Sequence, residues 1–209
     1  MRINRKVFYD NYRAKFGRLS QPLVDNLNFL LNKFAAGVFK LPTQMAYMLA
    51  TIKHETNNTF HPVMEGYYLK SNRIAALYSY YRKHNPGALN TIFPNGVDQP
   101  TYEGRGYVQI THLSNYRRFN IENVPEKALE PETAYHIMEY GMANGTFTGK
   151  RLQDFVNETE TDYYGARRVI NGKDKASLIA GYAEDFAECI ELVAAEFAMQ
   201  GYNQEEILA

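Results

Sequence analysis

The sequence predicts a mainly α-helical protein with at most a minor β element. Three observations support this fold class. Apolar residues recur at helical spacing in several segments, and the alternating pattern of a half-buried strand is rare. The chain has 209 residues, of which 45% are hydrophobic and 22% are charged, as is typical of a globular protein that buries its own core.

Four helices are predicted from their start and stop signals. A polar residue or a proline opens each segment, and a glycine or a polar pair closes most of them. The predicted limits are Gln21 to Gly37, Pro42 to Asn57, Ser71 to Lys83, and Pro131 to Gly145. Within the first span, leucines recur on one face, which indicates an amphipathic helix.

A fifth and longest helix is predicted near the end of the chain. Asp174 is its expected N-cap, and an apolar stripe runs from Ile179 to Phe197. Cys189 lies near this stripe and is expected to be a buried small hydrophobe. Residues 107–111 are the best candidate for a strand, and the alternative is that they lead directly into a helix.

Several classes of protein are excluded by composition. The longest apolar runs are too short to span a bilayer, and the N-terminus leads into charged residues without the apolar stretch of a signal peptide. Because Cys189 is the single cysteine, an internal disulfide and a cysteine-based zinc site are both excluded. We therefore expect synthesis in a cytoplasm.

The charge is unevenly distributed along the chain. Residues 1–100 carry 13 basic and 5 acidic side chains, and residues 101–209 carry 10 and 18, so the halves have formal charges of +8 and −8. The basic half either attracts an anionic polymer or is an ordinary solvated face. Basic residues form no continuous tract, so nucleic acid is not an expected partner.

Glu55 is the most informative single residue. It follows Met48 by seven residues and Ile52 by three, which places it on the apolar face of the predicted second helix. Burial and the negative end of the helix dipole both disfavour a charged carboxylate, so a raised pKa suited to a general acid is predicted. The alternative is a structural glutamate that caps a loop or pairs with an arginine.

Other chemistries fit the sequence less well. His54 and Glu55 begin a zinc-protease motif, but Asn58 stands where its second histidine would be. Phosphate-binding and serine-hydrolase motifs do not occur. Carboxylate chemistry remains, and glycoside hydrolysis commonly uses two carboxylates. Glu65 and Glu103 are the candidates for the second one, although each alone reads as a solvated loop residue.

Two segments resemble family 19 glycoside hydrolases, which comprise chitinases and related phage-type peptidoglycan hydrolases. Residues 46–56 resemble the helix that bears the catalytic acid, and residues 102–112 resemble the Y-x-G-R-G-x-x-Q-[LI]-T segment of that family. Further similarity to the phage and prophage branch lies in residues 19–31, 141–150 and 166–172 and in the helix after Asp174. The resemblance covers nearly the whole chain and implies a single catalytic domain over residues 1–209, without a separate wall-binding module.

The resemblance implies a lysozyme-like fold with two lobes and a central cleft. It assigns Glu55 as the general acid and Glu65 as the residue that manages the water, with Thr111 helping to place that water. Glu103 stays open as the second carboxylate. His54 and Arg168 are expected to support the site, and Arg168 is expected to pair with Glu55 or a neighbouring acid.

Five further residues match positions of the family that shape the cleft or contact the sugar. They are Tyr102, Arg105, Gln109, Asn115 and Asn171. Amide side chains donate and accept hydrogen bonds, which suits sugar hydroxyls and N-acetyl groups. For Arg105 and Gln109, the alternative is that they only order the glycine-rich turn. No metal or cofactor is expected.

We therefore expect a peptidoglycan hydrolase of the endolysin type, with bacterial peptidoglycan as its partner. A monomer without stable membrane insertion is expected, made in the host cytoplasm and acting on the wall in the periplasm. A holin that opens the membrane, or delivery in a virion, would bring it there. Two alternatives stay open, namely a chitinase and a non-catalytic glycan-binding protein on a hydrolase scaffold.

Overall fold

The computed structural model of the chain describes residues 1–69 and 71–208. Helices account for 57% of the structure and strands for 5%. In the described residues, the strands form two short antiparallel pairs, β1 (Arg2–Ile3) with β4 (Leu192–Val193) and β2 (Val63–Met64) with β3 (Arg105–Gly106). The predicted fold class, mainly α-helical with a minor β element, is confirmed.

The helices of the described residues are α1 (Arg5–Phe16), α2 (Gln21–Ala36), α3 (Pro42–Glu55), α4 (Arg73–His84), α5 (Leu89–Ile92), α6 (Leu113–Arg118), α7 (Pro131–Asn144), α8 (Tyr163–Ala166), α9 (Ala176–Cys189) and α10 (Gln204–Leu208). Short 3-10 helices lie at Pro86–Ala88, Pro125–Leu129, Leu152–Asp154, Arg167–Val169 and Ala195–Phe197. None of these helices combines the length and the apolar character needed to cross a bilayer.

The chain divides into two compact units. The first unit contains residues 1–60 and 139–209, and the second contains residues 61–138. The second unit is therefore inserted into the sequence of the first. That residues 1–209 act as one catalytic domain with a cleft stays a prediction.

Helix α3 is the central helix of the first unit. Every residue from Gln44 to Lys53 is buried, although the sequence pattern predicted a single apolar face. Helix α9 packs along α3 and also contacts α1 and α8. A helix covered on all sides is held firmly along its length. This packing fixes the C-terminal end of α3, where Glu55 lies.

The second unit is built around a smaller apolar cluster. Its buried members are Leu77, Ala88, Ile92 and Phe93. Helix α4 contributes Leu77, and the segment around α5 contributes the other three. Strands β2 and β3 pair in the same unit, with Val63 opposite Gly106 and Met64 opposite Arg105. This short ladder brings the residues after Met64 next to the glycine-rich turn around Gly104.

The strand predicted over residues 107–111 is not formed. The strand of this region is β3, and residues 107–109 form a tight turn that returns the chain so that Arg105 bridges to Ile110. Gly106 has a φ of +89° and Gln109 a φ of +51°. Two left-handed residues within four positions are incompatible with an extended strand. Local β propensity is therefore overridden by turn geometry.

The last predicted helix is shorter than expected. Helix α9 ends at Cys189, and Ile190 is extended. Leu192 and Val193 pair instead with β1 at the N-terminus, and Phe197 is 52% exposed. The N-cap is Lys175 rather than Asp174, and α2 with 16 residues is longer than α9 with 14. The apolar pattern continues past Cys189, but the helix does not, because the residues that follow pair with a distant strand.

The other helix predictions are confirmed to within a few residues. Helix α2 begins directly after Ser20 and ends before Gly37, and α3 begins at Pro42. Helices α4 and α7 fill the remaining two predicted spans. The predicted burial of Cys189 is also confirmed.

Candidate functional site

Glu55 lies at the end of α3 beside a buried arginine. The Nη1 of Arg167 donates a hydrogen bond to Oε1 of Glu55 over 2.7 Å. The Arg167 side chain is 3% exposed and that of Glu55 is 15% exposed. Arg167 is fixed further by its Nε, which donates to the carbonyl oxygen of Asp174 over 3.0 Å. The carboxylate is therefore held in one orientation with a small exposed fraction.

This ion pair changes the electrostatics expected of Glu55. The prediction was based on burial and the helix dipole, which both disfavour a negative charge. The structure adds a guanidinium at 2.7 Å from Oε1, a positive charge that this prediction did not include.

The arginine that contacts Glu55 is Arg167 and not Arg168, so the predicted partner was wrong by one residue. Arg167 and Arg168 are neighbours in the 3-10 helix after α8, so their side chains point to different sides. Arg167 points inward. Arg168 is exposed and lies over the ring of Phe155 at 5.4 Å. The role of Arg168 is thus a packing contact at the surface.

His54 precedes Glu55 and is half-buried. Burial lowers the pKa of His54, the charge of Glu55 acts to raise it, and the charge of Arg167 lowers it further. His54 is consequently neutral at pH 7. A neutral imidazole beside the Glu55 pair adds a hydrogen-bonding group without adding a charge.

A polar stripe runs from Glu55 into the core of the first unit. Tyr47, Thr51 and Glu55 are spaced four residues apart on one face of α3. The ring of Tyr47 stacks on that of Tyr163 at 6.3 Å, with an interplanar angle of 12°. Tyr163 and Arg167 are themselves four residues apart. The row of Tyr47 and Glu55 thus faces the row of Tyr163 and Arg167. The two tyrosines stack at one end, and Glu55 and Arg167 form an ion pair at the other.

Glu65 lies in the second unit, directly after β2. Its two carboxylate oxygens each lie 3.1 Å from the hydroxyl of Tyr81, and the backbone N–H of Gly104 donates to Oε2 over 3.1 Å. The N–H of Glu65 itself donates to the carbonyl of Gly104 over 2.7 Å. Glu65 is partly exposed. It is a positioned carboxylate and not a freely solvated one, which corrects the reading of Glu65 as an ordinary loop residue.

Glu103 is fully buried, which corrects the expectation of a solvated loop carboxylate. Its Oε1 lies 2.8 Å from Nη2 of Arg73 and 2.9 Å from Nη2 of Arg105. Burial acts to raise the pKa of Glu103. The charge of Arg105 and hydrogen bonds from Thr101 and Arg73 outweigh that effect, so the pKa lies below its ordinary value. Because its side chain is 0% exposed, Glu103 is a structural anion, and Glu65 is the better second carboxylate.

Arg105 and Tyr102 also face the interior of the second unit. Arg105 is 2% exposed and donates to the carbonyl of Thr101 over 2.9 Å and to the hydroxyl of Tyr116 over 3.0 Å. The hydroxyl of Tyr102 donates to the carbonyl of Glu122 over 3.0 Å. Both side chains order the glycine-rich segment. Both side chains are buried, so neither can reach a sugar in this structure. For Arg105, this favours the alternative that it only orders the turn.

Gln109, Thr111 and Asn115 form a chain of short-range hydrogen bonds. The amide of Gln109 donates to the carbonyls of Val63 and Gly106, each over 2.9 Å. The Thr111 hydroxyl donates to the carbonyl of Gln109 over 3.0 Å, and Asn115 donates to that of Thr111 over 2.8 Å. All three predicted residues are partly exposed. The Thr111 oxygen therefore keeps its lone pairs, with which it can accept a hydrogen bond from water.

The predicted site residues divide between the two units. His54, Glu55, Arg168 and Asn171 belong to the first unit, and Glu65, Tyr102, Arg105, Gln109, Thr111 and Asn115 belong to the second. Asn171 is exposed, and its side-chain oxygen accepts from the N–H of Gly172 over 2.8 Å. It is thus positioned by its own turn and accessible to a ligand.

Sequence reasoning missed Arg167 and Tyr81, which hold the two carboxylates. The spacing of Arg73, Leu77 and Tyr81 on α4 was a signal for Tyr81, because residues four apart share a face. No local signal separated Arg167 from Arg168.

In the described residues, no group of three or more histidine, cysteine, aspartate or glutamate side chains is arranged to hold a metal ion. Comparisons with protein-family models, with curated proteins and with solved structures find no match. The geometry of the residues is therefore the basis for assigning a function.

The two half-buried histidines predict a pH dependence of stability. Burial is the largest cause that lowers the pKa of both His54 and His112 from 6.5. The unfolded chain then binds more protons than the folded one, so we expect the free energy of unfolding to fall as the pH drops below about 6.5. Urea unfolding at pH 7.5 and 5.5 measures this change. A variant with His54→Gln and His112→Gln should show a smaller drop, and an equal drop in both proteins would contradict the prediction.

Proposed function

We propose that the protein is a glycoside hydrolase that cleaves β-1,4 glycosidic bonds of bacterial peptidoglycan. The observation that carries this proposal is that Glu55 and Glu65 are each partly exposed and each fixed by directed donors. Holding an exposed side chain in one geometry costs entropy, and these donors supply the interactions that hold each carboxylate in place. Glu55 lies within residues 46–56, which resemble family 19 glycoside hydrolases, and Glu65 follows that segment by nine residues.

In the proposed mechanism, the general acid is Glu55. It takes up a proton from bulk water on Oε2, the oxygen that Arg167 does not contact, and it passes this proton to the glycosidic oxygen as the bond breaks. The resemblance to family 19 glycoside hydrolases assigns the second role to Glu65, which accepts a proton from a water molecule whose oxygen forms the new bond to the anomeric carbon. The Thr111 hydroxyl accepts a hydrogen bond from the same water. One molecule of water is consumed for each bond cleaved.

The proposed biological role is that of an endolysin, which degrades the host wall at lysis. In this role the enzyme is made in the host cytoplasm and reaches the wall through a membrane opened by a holin. Delivery in a virion would use the same chemistry.

Digestion of purified peptidoglycan in heavy-oxygen water, followed by mass spectrometry of the fragments, tests the proposal. We expect new reducing ends that each carry one heavy oxygen atom, because hydrolysis adds the water oxygen to the anomeric carbon. Finished product incubated for the same time without enzyme corrects for exchange.

Three other results would contradict the proposal. Anhydro-sugar ends without heavy oxygen would indicate internal cyclisation instead of hydrolysis. Release of soluble sugar from chitin but not from peptidoglycan would indicate a chitinase. Sedimentation with walls, without new reducing ends, would indicate a glycan-binding protein.

A further inference from the structure

One face of α4 holds the turn that carries Glu65. Arg73, Leu77 and Tyr81 are spaced four residues apart and share this face. The Nη1 of Arg73 donates to the backbone carbonyl of Glu65 over 3.0 Å. Leu77 packs so closely on Gly66 that an added Cβ there would lie 3.2 Å from a Leu77 methyl group. Tyr81 reaches the carboxylate itself. The backbone and the side chain of Glu65 are thus fixed by one helix.

The contact between Tyr81 and Glu65 is symmetric. The Tyr81 hydroxyl lies 3.1 Å from both Oε1 and Oε2, while the Gly104 N–H reaches only Oε2 over 3.1 Å. A phenol has one hydrogen, so it serves one oxygen at a time. Oε1 therefore receives the fewer donors of the two, and it is the oxygen that remains free to accept a proton from water.

Tyr81 is itself well supported. Its ring packs against Phe93 at a centroid distance of 5.8 Å, on the apolar cluster of the second unit. Burial is the largest cause that raises the pKa of Tyr81, and the charge of Glu65 raises it further. The phenol therefore keeps its proton throughout the physiological range and acts only as a donor. A rigid ring with a permanent donor is suited to orienting a carboxylate.

We propose that Tyr81 is a positioning residue that orients the Glu65 carboxylate, so that Oε1 can accept a proton from water. This inference rests on the proposed function, in which Glu65 manages the water. It adds a residue from α4 that the resemblance to glycoside hydrolases does not assign.

Kinetics of Tyr81→Phe test the proposal. We expect kcat on soluble peptidoglycan fragments to fall roughly 10- to 100-fold with KM within about twofold, because a hydrogen bond to a charged group is lost. Tyr80→Phe is the matched control, since Tyr80 is the neighbouring residue and is exposed. An unchanged kcat in Tyr81→Phe would overturn the proposal.

A second measurement does not depend on activity. In protein labelled with carbon-13 at the tyrosine Cζ, the Tyr81 resonance is identified by its loss in Tyr81→Phe. We expect this resonance to move as the pH is lowered through the range where carboxylates titrate, and to stay fixed in Glu65→Gln. A resonance that does not respond to Glu65 would overturn the pairing.

Together the two measurements separate failure of this inference from failure of the proposed function. Wild-type protein that releases no reducing ends, yet shows the coupled resonance, supports the pairing and overturns the hydrolase function. Wild-type protein that hydrolyses the wall, with Tyr81→Phe equally active, overturns the positioning role alone. Thermal unfolding of each variant confirms that rates are compared between folded proteins.

Discussion

Replacing Glu55 with glutamine is expected to lower the rate of peptidoglycan hydrolysis by about 10²- to 10⁴-fold, which is the usual contribution of a general acid. Glutamine has nearly the same shape and keeps an oxygen that accepts from Arg167, but it carries no proton that it can give to the leaving oxygen. The initial rate of release of reducing ends from purified walls measures the effect. A variant that retained the wild-type rate would contradict the role of Glu55.

A matched control is needed because Glu55→Gln also removes a charge. Glu158→Gln makes the same chemical change at an exposed position and should leave the rate within about twofold of wild type. Glu55→Gln leaves the buried Arg167 guanidinium without its counter-charge, so some loss of stability is also expected. Rates must therefore be measured at a temperature where both variants are fully folded.

Local sequence signals predicted five of the ten α-helices of the described residues, namely α2, α3, α4, α7 and α9. Helix α2 lies between Ser20 and Gly37, and α3 begins at Pro42, because start and stop signals act within a few residues of the helix end. The end of α9 depended on a partner far away in the chain. Leu192 and Val193 pair with β1 at the opposite terminus, and nothing near Cys189 reveals this. Long-range strand pairing is therefore one source of error, and the tight turn at residues 107–109 is another.

For the candidate site, the sequence predicted some of the residues but not the partners that they contact. Periodicity alone selected Glu55, because seven residues bring it onto the face of Met48. Burial of Glu103 depends on Arg73, which lies 30 residues earlier in the sequence, so a local reading took Glu103 for a solvated residue. The arginine partner of Glu55 was predicted one position too late. Arg167 and Arg168 are the same residue type, and the local sequence does not show which of the two side chains points inward. Residue types were thus easier to select than their partners.

Glu103→Gln is expected to lower the free energy of unfolding by an amount that is large for a single substitution. Removing the charge leaves Arg73 and Arg105 without a counter-ion, and the Arg105 side chain is 2% exposed. Breaking a buried ion pair by removing one partner typically costs about 3–5 kcal/mol in the free energy of unfolding. Urea unfolding at pH 7 measures this loss. A decrease below about 1 kcal/mol would contradict the view that Glu103 holds the glycine-rich segment.

The exposed ion cluster around Asp10 provides the control for Glu103→Gln. Asp10 pairs with Lys6 at 2.6 Å and Arg13 at 2.9 Å but is 42% exposed, so Asp10→Asn should cost only about 0–1 kcal/mol.

Because the pKa of Glu103 is lowered in the folded protein, its stabilising contribution is present above the unfolded value and is lost as the pH falls through the folded value. The stability difference between wild type and Glu103→Gln should therefore shrink in acid. A difference that did not change with pH would mean that the loss comes from packing instead of charge.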